Sequence, residues 1–327
     1  MTEVKVTVLV AVYNAGHWLR SCLDSLRRQT QADWQAVCID DASTDDSLSI
    51  LQEYAADDPR FEVIHLSQNG GQAAARNRGL QQARGEVICM LDADDWLSDD
   101  ALQLLCEAFD ATTDCVLFDV VNVYADGREE RYPMEPFTLL TGEEAFRLSL
   151  TWQLHGLYGV RAQIHRRYTY DETCRLYSDD NTTRLHYLSS RRVGSCRGVY
   201  YYRQHPQSAT HLVSVRRFDY LRANESMAMQ LRQLGIDRRW QALYENHRWQ
   251  NLVGIYMFYF VHGRELTAAE RRYGRTELLR IWKTVDRSLL NKETITKFGY
   301  RPCASWLMFR CQEWLYFTLR GLLGKNY

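Results

Sequence analysis

Asp92-Ala93-Asp94-Asp95 follows directly on the apolar run Val87-Ile88-Cys89-Met90-Leu91. A buried strand that ends in carboxylates one residue apart delivers hard oxygen donors to the carboxyl edge of a sheet, where open α/β folds bind their ligands. Such donors suit Mg2+ or Mn2+, ions that share their shells with phosphate oxygens. Acidic residues after a strand are also ordinary helix starters, as in Ser98-Asp99-Asp100, so the run takes its meaning from context. A second acidic pair lies in Tyr177-Ser178-Asp179-Asp180-Asn181 and precedes Thr182, Leu185 and Leu188 at helical spacing. Capping accounts for a pair at a helix start. Two neighbouring like charges also push one carboxylate's pKa upward, which suits a general base.

These residues need elements to position them, and the first half of the chain supplies a regular alternation. Val6 to Val12 reads as a fully buried strand, and Leu19, Cys22, Leu23 and Leu26 then recur at helical spacing. Ala36 to Ile39 predicts a second strand, Leu48, Leu51 and Ala55 a second helix, and Phe61 to Leu66 a third strand. A helix from about Gly71 to Gln82, the Val87 strand and a helix carrying Leu102, Leu105, Cys106 and Phe109 complete the series. Strands alternating with helices of this length imply an α/β fold, a Rossmann-like, mostly parallel sheet with helices on both faces. Its rim carries the strand ends Ala11-Val12-Tyr13-Asn14, Asp40-Asp41-Ala42-Ser43-Thr44-Asp45 and the Asp92 cluster. Between them Asn69-Gly70-Gly71-Gln72-Ala73-Ala74-Ala75-Arg76-Asn77 opens a helix with small residues and sets an arginine one turn in. Phosphate favours such a helix start, and arginine grips phosphate or a base edge. The ordered set describes a nucleotide-diphosphate pocket.

Residues from about Val6 to Phe109 resemble the nucleotide-binding half of a family-two glycosyltransferase with the GT-A fold. The motifs that carry the resemblance are Val12-Tyr13-Asn14, Gln29-Thr30, Asp40-Asp41 with Ser43-Thr44-Asp45, Gly71 through Gly79, and Asp92-Ala93-Asp94-Asp95-Trp96. Ala11 stands where the family commonly has proline, which removes no functional side chain. The resemblance implies that Asp41, as an exposed strand-end carboxylate, bonds the uracil ring, and that Val12, Tyr13, Asn14 and Arg76 help hold the nucleotide. It places Asp92 and Ala93 near the ribose and makes Asp94 a ligand of a divalent metal, Mn2+ or Mg2+. Asp180 matches the family's catalytic base, with Asp179 in place of the usual glutamate beside it. Trp152, His155 and Tyr158 fall where similar enzymes form an acceptor pocket, and aromatic faces suit sugar C–H surfaces. Core packing explains those rings as well. Val199 to His205 reads as the last strand of the domain before a turn at His205-Pro206-Gln207-Ser208, and His205 is a candidate for the metal or the diphosphate.

The resemblance implies an inverting transfer of a sugar from a UDP-sugar to a hydroxyl of a saccharide or lipid-linked saccharide, in bacterial surface polysaccharide synthesis. Two rivals stand beside this reading. A sugar nucleotidyltransferase would show a Gly-rich loop after the first strand, where this chain has Val12-Tyr13-Asn14. A non-catalytic sugar-nucleotide-binding or scaffold protein would need neither Asp94 nor Asp180.

The 327 residues allow a catalytic domain over 1–213, with nucleotide-sugar binding over 1–110 and the acceptor side over 111–213, followed by a helical region over 214–327. With 40 basic and 41 acidic residues, the chain has no electrostatic bias towards nucleic acid. Nine cysteines without a Cys-x-x-Cys pair argue against a disulfide framework and a zinc site. The first strand begins so near Met1 that no signal peptide is expected and the location is read as cytoplasmic. The apolar stretch Leu252 to Val261 is too short for a bilayer of roughly 30 Å and reads as a buried helix. Near the end Trp306, Leu307, Phe309, Trp314, Leu315, Phe317, Leu322 and Leu323 alternate with Arg310, Arg320 and Lys325. That stripe suits packing against the catalytic domain, a homodimer contact, or peripheral contact with the inner membrane face.

Overall fold

The alternation of apolar runs and amphipathic stretches folds as β1 (Val6–Val12), α1 (Gly16–Arg27), β2 (Trp34–Asp40), α2 (Ser47–Asp57), β3 (Phe61–His65), α3 (Gln72–Leu80), β4 (Val87–Met90), β5 (Trp96–Leu97) and α4 (Ala101–Glu107). There follow β6 (Thr113–Tyr124), β7 (Glu129–Arg131), β8 (Leu139–Thr141), α5 (Gly142–Ser149), β9 (Tyr158–Arg161), α6 (Ala162–Arg167), α7 (Asp179–Ser189) and β10 (Arg192–Gln204). Helices α8 (Asp219–Gln233), α9 (Arg238–His262), α10 (Ala268–Thr284), α11 (Lys292–Ile295) and α12 (Trp306–Leu322) complete the chain. The structure is a computed structural model and describes residues 4–174, 177, 179–205 and 214–325. Ser178, the Pro206–Ser208 turn and the boundary expected at residue 213 lie outside the described residues. The chain divides into two compact units, residues 1–175 with 182–209, and residues 176–181 with 210–327.

One ten-stranded sheet builds the first unit, in the order β3-β2-β1-β4-β9-β6-β10-β5, with β7 on β6 and β8 on β10. β3, β2, β1 and β4 run parallel, as do β6 and β10, while β9 is antiparallel between β4 and β6. The side-chain period of two explains why this sheet is covered on both faces. Val6, Val8, Val10 and Val12 of β1 pack with Leu19 and Leu23 of α1 and Ile50 and Leu51 of α2. Leu9, between them, points the other way into a cluster with Ala75 and Leu80 of α3. Gly79 lets α3 lie close on the sheet, since a Cβ there would meet Ile39 Cδ1 at 2.5 Å. All carboxyl ends of the parallel strands therefore open on one edge, where the loops with polar residues gather.

In the second unit Trp249, Leu252 and Val253 of α9, Leu278 and Ile281 of α10, and Phe309 and Phe317 of α12 form a separate core. The stretch Leu252 to Val261 is the second half of α9, a 25-residue helix. Among the described residues, no helix is long and apolar enough to cross a membrane.

Candidate active site

The edge is first shaped by loops that tie themselves together. Asn14 takes a left-handed backbone (φ 50), a conformation Asn tolerates well. Its N–H donates to Ser43 Oγ at 3.0 Å, and its side-chain oxygen accepts from the Thr44 N–H at 2.8 Å. Asn14 thus joins the β1 and β2 loops. The Val12 side chain is buried, and its carbonyl accepts the Asp41 N–H at 2.8 Å. Tyr13, beside them, is 52% exposed.

Asp40 is fully buried and holds His65 Nδ1 at 2.8 Å. Asp41 corrects an expectation: it is 3% exposed rather than an open strand-end carboxylate. Its two oxygens accept the backbone N–H groups of Gly70 and Gly71, each at 2.8 Å. A carboxylate oxygen has two lone pairs, so acceptor capacity remains beyond these bonds. Gly71 sits at φ 89, which is why glycine starts α3 here. Asp41 therefore fixes the helix start that the sequence marked for phosphate.

At the end of β4 the acidic cluster is held by two other elements, α3 and β10. Arg76 of α3 is 1% exposed and donates to Asp92 Oδ1 at 2.5 Å, with its guanidinium 5.3 Å from the Tyr170 ring centre. Read from sequence as a clamp on the nucleotide, Arg76 is thus held in an ion pair with Asp92. Gln72 adds a bond to the same oxygen at 2.9 Å. Ala93 is buried. Asp95, also buried, receives the Tyr200 hydroxyl on Oδ2 at 2.9 Å and the Arg203 N–H on Oδ1 at 2.7 Å. Burial raises its pKa well above the ordinary carboxylate range, with Asp92 and Asp94 acting in the same direction. The Tyr200 hydroxyl in turn accepts the Asp92 N–H at 3.0 Å.

Asp94 remains half-open, and its Oδ2 lies 2.9 Å from His205 Nε2. Arg203, two residues before His205, donates from Nε to the Asp94 carbonyl at 2.8 Å. Its guanidinium lies 4.5 Å from the ring centres of both Trp18 and Trp96, and His205 stacks on Trp18 at 5.9 Å. Among the described residues, no three His, Cys, Asp or Glu side chains converge as a complete metal cage. Asp94 and His205 offer one oxygen and one nitrogen, a set compatible with Mn2+ when phosphate oxygens and water fill the rest of the shell.

The other expected residues separate by burial. Trp152 is 49% exposed, and its carbonyl accepts the Tyr132 hydroxyl at 2.6 Å. His155 is buried; its Nδ1 accepts the Leu157 N–H at 3.2 Å, and burial lowers its pKa to about 4. Tyr158 is buried too, with its hydroxyl 2.7 Å from His186 Nδ1. Of the three aromatic positions expected to line an acceptor pocket, Trp152 alone stands open, because the other two are spent on the interior. Asp179 and Asp180 form the first turn of α7, both partly exposed, and fall in the second unit, where Asn181 bonds the Ala223 carbonyl at 2.8 Å. Tyr200, Asp95, Arg203, Trp18 and Gln72 were not read from the sequence as site residues. Asp95 belonged to the acidic run and Arg203 to the last strand, but their pairing spans 108 residues.

A parallel strand-end rim, a glycine-started helix and a carboxylate cluster fed by a late strand define a nucleotide-binding α/β fold of the GT-A class. The model of the family "Glycosyl transferase family 2" matches residues 7–171, and the chain belongs to that family. It is 40% identical over 126 residues to the putative glycosyltransferase EpsH of Bacillus subtilis, a match covering 38% of this chain and 36% of that protein. It is 31% identical over 222 residues to the uncharacterized glycosyltransferase EpsJ of the same organism, covering 63% of each. The chain thus spans less than two thirds of either relative. The crystal structure of S. aureus TarS residues 1–349 in complex with UDP-GlcNAc superposes with a TM-score of 0.74 over 98% of this chain and 92% of that one, at 19% identity. That likeness speaks for the fold.

Proposed function

We propose that this glycosyltransferase moves a sugar from a UDP-sugar to a hydroxyl of a saccharide or lipid-linked saccharide, with inversion, in the assembly of a bacterial surface polysaccharide. The observation that carries the reading is the Asp92–Asp95 cluster, held on the sheet rim by Arg76, Tyr200 and Arg203 and leaving Asp94 and His205 accessible. The TarS complex with UDP-GlcNAc supports a UDP-sugar donor, and the putative teichuronic acid biosynthesis glycosyltransferase TuaG of B. subtilis, to which this chain is 37% identical over 98 residues, supports a bacterial surface polymer.

In this reading Tyr13 covers the base, Asp41 accepts from the uracil ring with its remaining capacity, and Val12 and Asn14 shape the loop that receives it. Asp92 faces the ribose, and Ala93 spaces it from Asp94. Asp94 and His205 would hold Mn2+ or Mg2+, which when bound would supply positive charge beside the diphosphate. Asp180 takes the proton of the acceptor hydroxyl as its oxygen attacks the anomeric carbon, and Asp179 tunes its neighbour. Trp152 offers an open ring face to a sugar.

Titration calorimetry of UDP, GDP and UMP against the purified chain, with Mn2+ and after chelation, tests the donor side. UDP is expected to bind more tightly than GDP and UMP, and to weaken on chelation. Equal affinities for UDP and GDP would remove the uracil contact.

A further inference from the structure

Helix α12 is apolar on its outward face as well as on the face it buries. Its inward residues include Phe309, Phe317 and the carboxylate Glu313, all buried. Its outward residues are Leu307 (68% exposed), Met308 (57%), Trp314 (60%), Leu315 (45%), Leu319 (45%) and Leu322 (80%). At 3.6 residues per turn these six share an arc of about 140°. A continuous apolar face of this kind on a helix marks a docking surface, because scattered exposure would not align by period.

The charges around the face select the partner. From Lys297 to Lys325 the chain carries five cations, Lys297, Arg301, Arg310, Arg320 and Lys325, and one carboxylate, Glu313; Arg320 lies on the inward side, bonded to the Tyr316 hydroxyl, so four cations flank the face. Glu313 is fully buried, so this segment's exposed charge is entirely positive. A second copy placed on the same face by twofold symmetry would bring basic flanks against basic flanks with no carboxylate in the segment to answer them. An anionic lipid surface answers both features, since headgroups meet the cations while Leu and Trp side chains enter the acyl boundary.

We propose that the outward face of α12 docks on an anionic phospholipid surface, with the helix lying in the plane of the interface. The proposal is independent of the donor, the acceptor and the transferase chemistry.

Sedimentation of the full chain with vesicles tests it. Vesicles of phosphatidylcholine containing phosphatidylglycerol should bind the protein, pure phosphatidylcholine much less, and high salt should weaken the binding. A juxtamembrane cation contributes about fivefold in affinity, so Arg301→Glu with Lys325→Glu should lower binding by more than about twentyfold. Trp314→Ser with Leu322→Ser should lower it at least about tenfold through lost apolar burial. All four side chains are exposed, so circular dichroism and melting temperature should stay at wild-type values. No binding by the wild type, or equal binding by the folded variants, overturns the proposal. A dimer in sedimentation equilibrium that Trp314→Ser dissociates, with no vesicle affinity, overturns it in favour of a second copy.

Discussion

Tyr200→Phe isolates the tie between the last strand and the acidic cluster. Tyr200 is fully buried, and its ring packs 6.3 Å from that of Phe118, so phenylalanine keeps the packing and removes one oxygen. That oxygen serves two groups, the Asp92 N–H at 3.0 Å and Asp95 Oδ2 at 2.9 Å. Asp95 loses this partner in a buried site and the Asp92 N–H in a partly buried one, and a buried polar group left so costs about 1–3 kcal/mol. Asp95 relieves part of its share by protonating, because its pKa is already raised by burial. A net loss of about 2–4 kcal/mol follows, and for a chain of 327 residues that lowers the melting temperature by about 3–6 °C. Calorimetric unfolding measures the stability, and titration with UDP measures the site. UDP affinity should fall as well, because the backbone of Asp92 is no longer anchored. A melting temperature within about a degree of wild type would show that the tie carries nothing. Lost stability with unchanged UDP affinity would separate the network from the nucleotide site.

Asp180→Asn keeps shape and removes basicity, so kcat should fall by about a hundred- to ten-thousand-fold with UDP affinity and melting temperature near wild type, while Asp179→Asn costs less. The reverse order in steady-state kinetics would move the base to Asp179. Asp94→Ala should weaken UDP binding in Mn2+ but leave it unchanged in the presence of chelator, whereas a chelator-independent loss would mean that Asp94 does not act through a metal. Glu313 is buried with the Gln312 amide on its Oε1 at 3.0 Å, and burial lifts its pKa from 4.5 to about 8. A carboxyl raised in the folded state contributes stability that is present below pH 4.5 and lost as pH rises towards 8. Glu313→Gln should therefore match wild type near pH 4 and exceed it at pH 8 by a few kcal/mol, since each tenfold change in proton affinity is worth about 1.4 kcal/mol. Parallel melting curves across that window would contradict the assignment.

Much of the donor half was legible because its information is local. Val8–Val12, Ala36–Ile39 and Val87–Met90 are continuous apolar runs, and the residues that follow each run fall on the sheet rim by topology alone. β6 and the first half of β10 were not assigned from sequence. β10 begins Arg192-Val193-Gly194-Ser195-Cys196-Arg197-Gly198, with no period of two, and pairs with β6 through a shift between Ser195 and Val199. Such a strand is specified by its neighbour rather than by its own pattern. The same holds for the site. The identity of Asp41 is plain from sequence, but not that Gly70 and Gly71, 29 and 30 residues away, occupy its oxygens. His155 and Tyr158 carry side chains that suit a sugar, yet their polar atoms bond Leu157 and His186 in the interior. At α12 the aromatic and basic stripe was visible, but only the packing of Phe309 and Phe317 decides which half of it faces outward.

The central claim is turnover of a UDP-sugar. The direct measurement incubates the purified chain and Mn2+ with UDP-sugars labelled in the sugar, with and without saccharide acceptor, and follows free UDP and label together. The expected result is acceptor-dependent release of UDP from one donor, label recovered in a product of inverted anomeric configuration, and loss of both signals in Asp180→Asn. Saturable UDP binding with no acceptor-dependent transfer from any donor would contradict it and leave a sugar-nucleotide-binding protein.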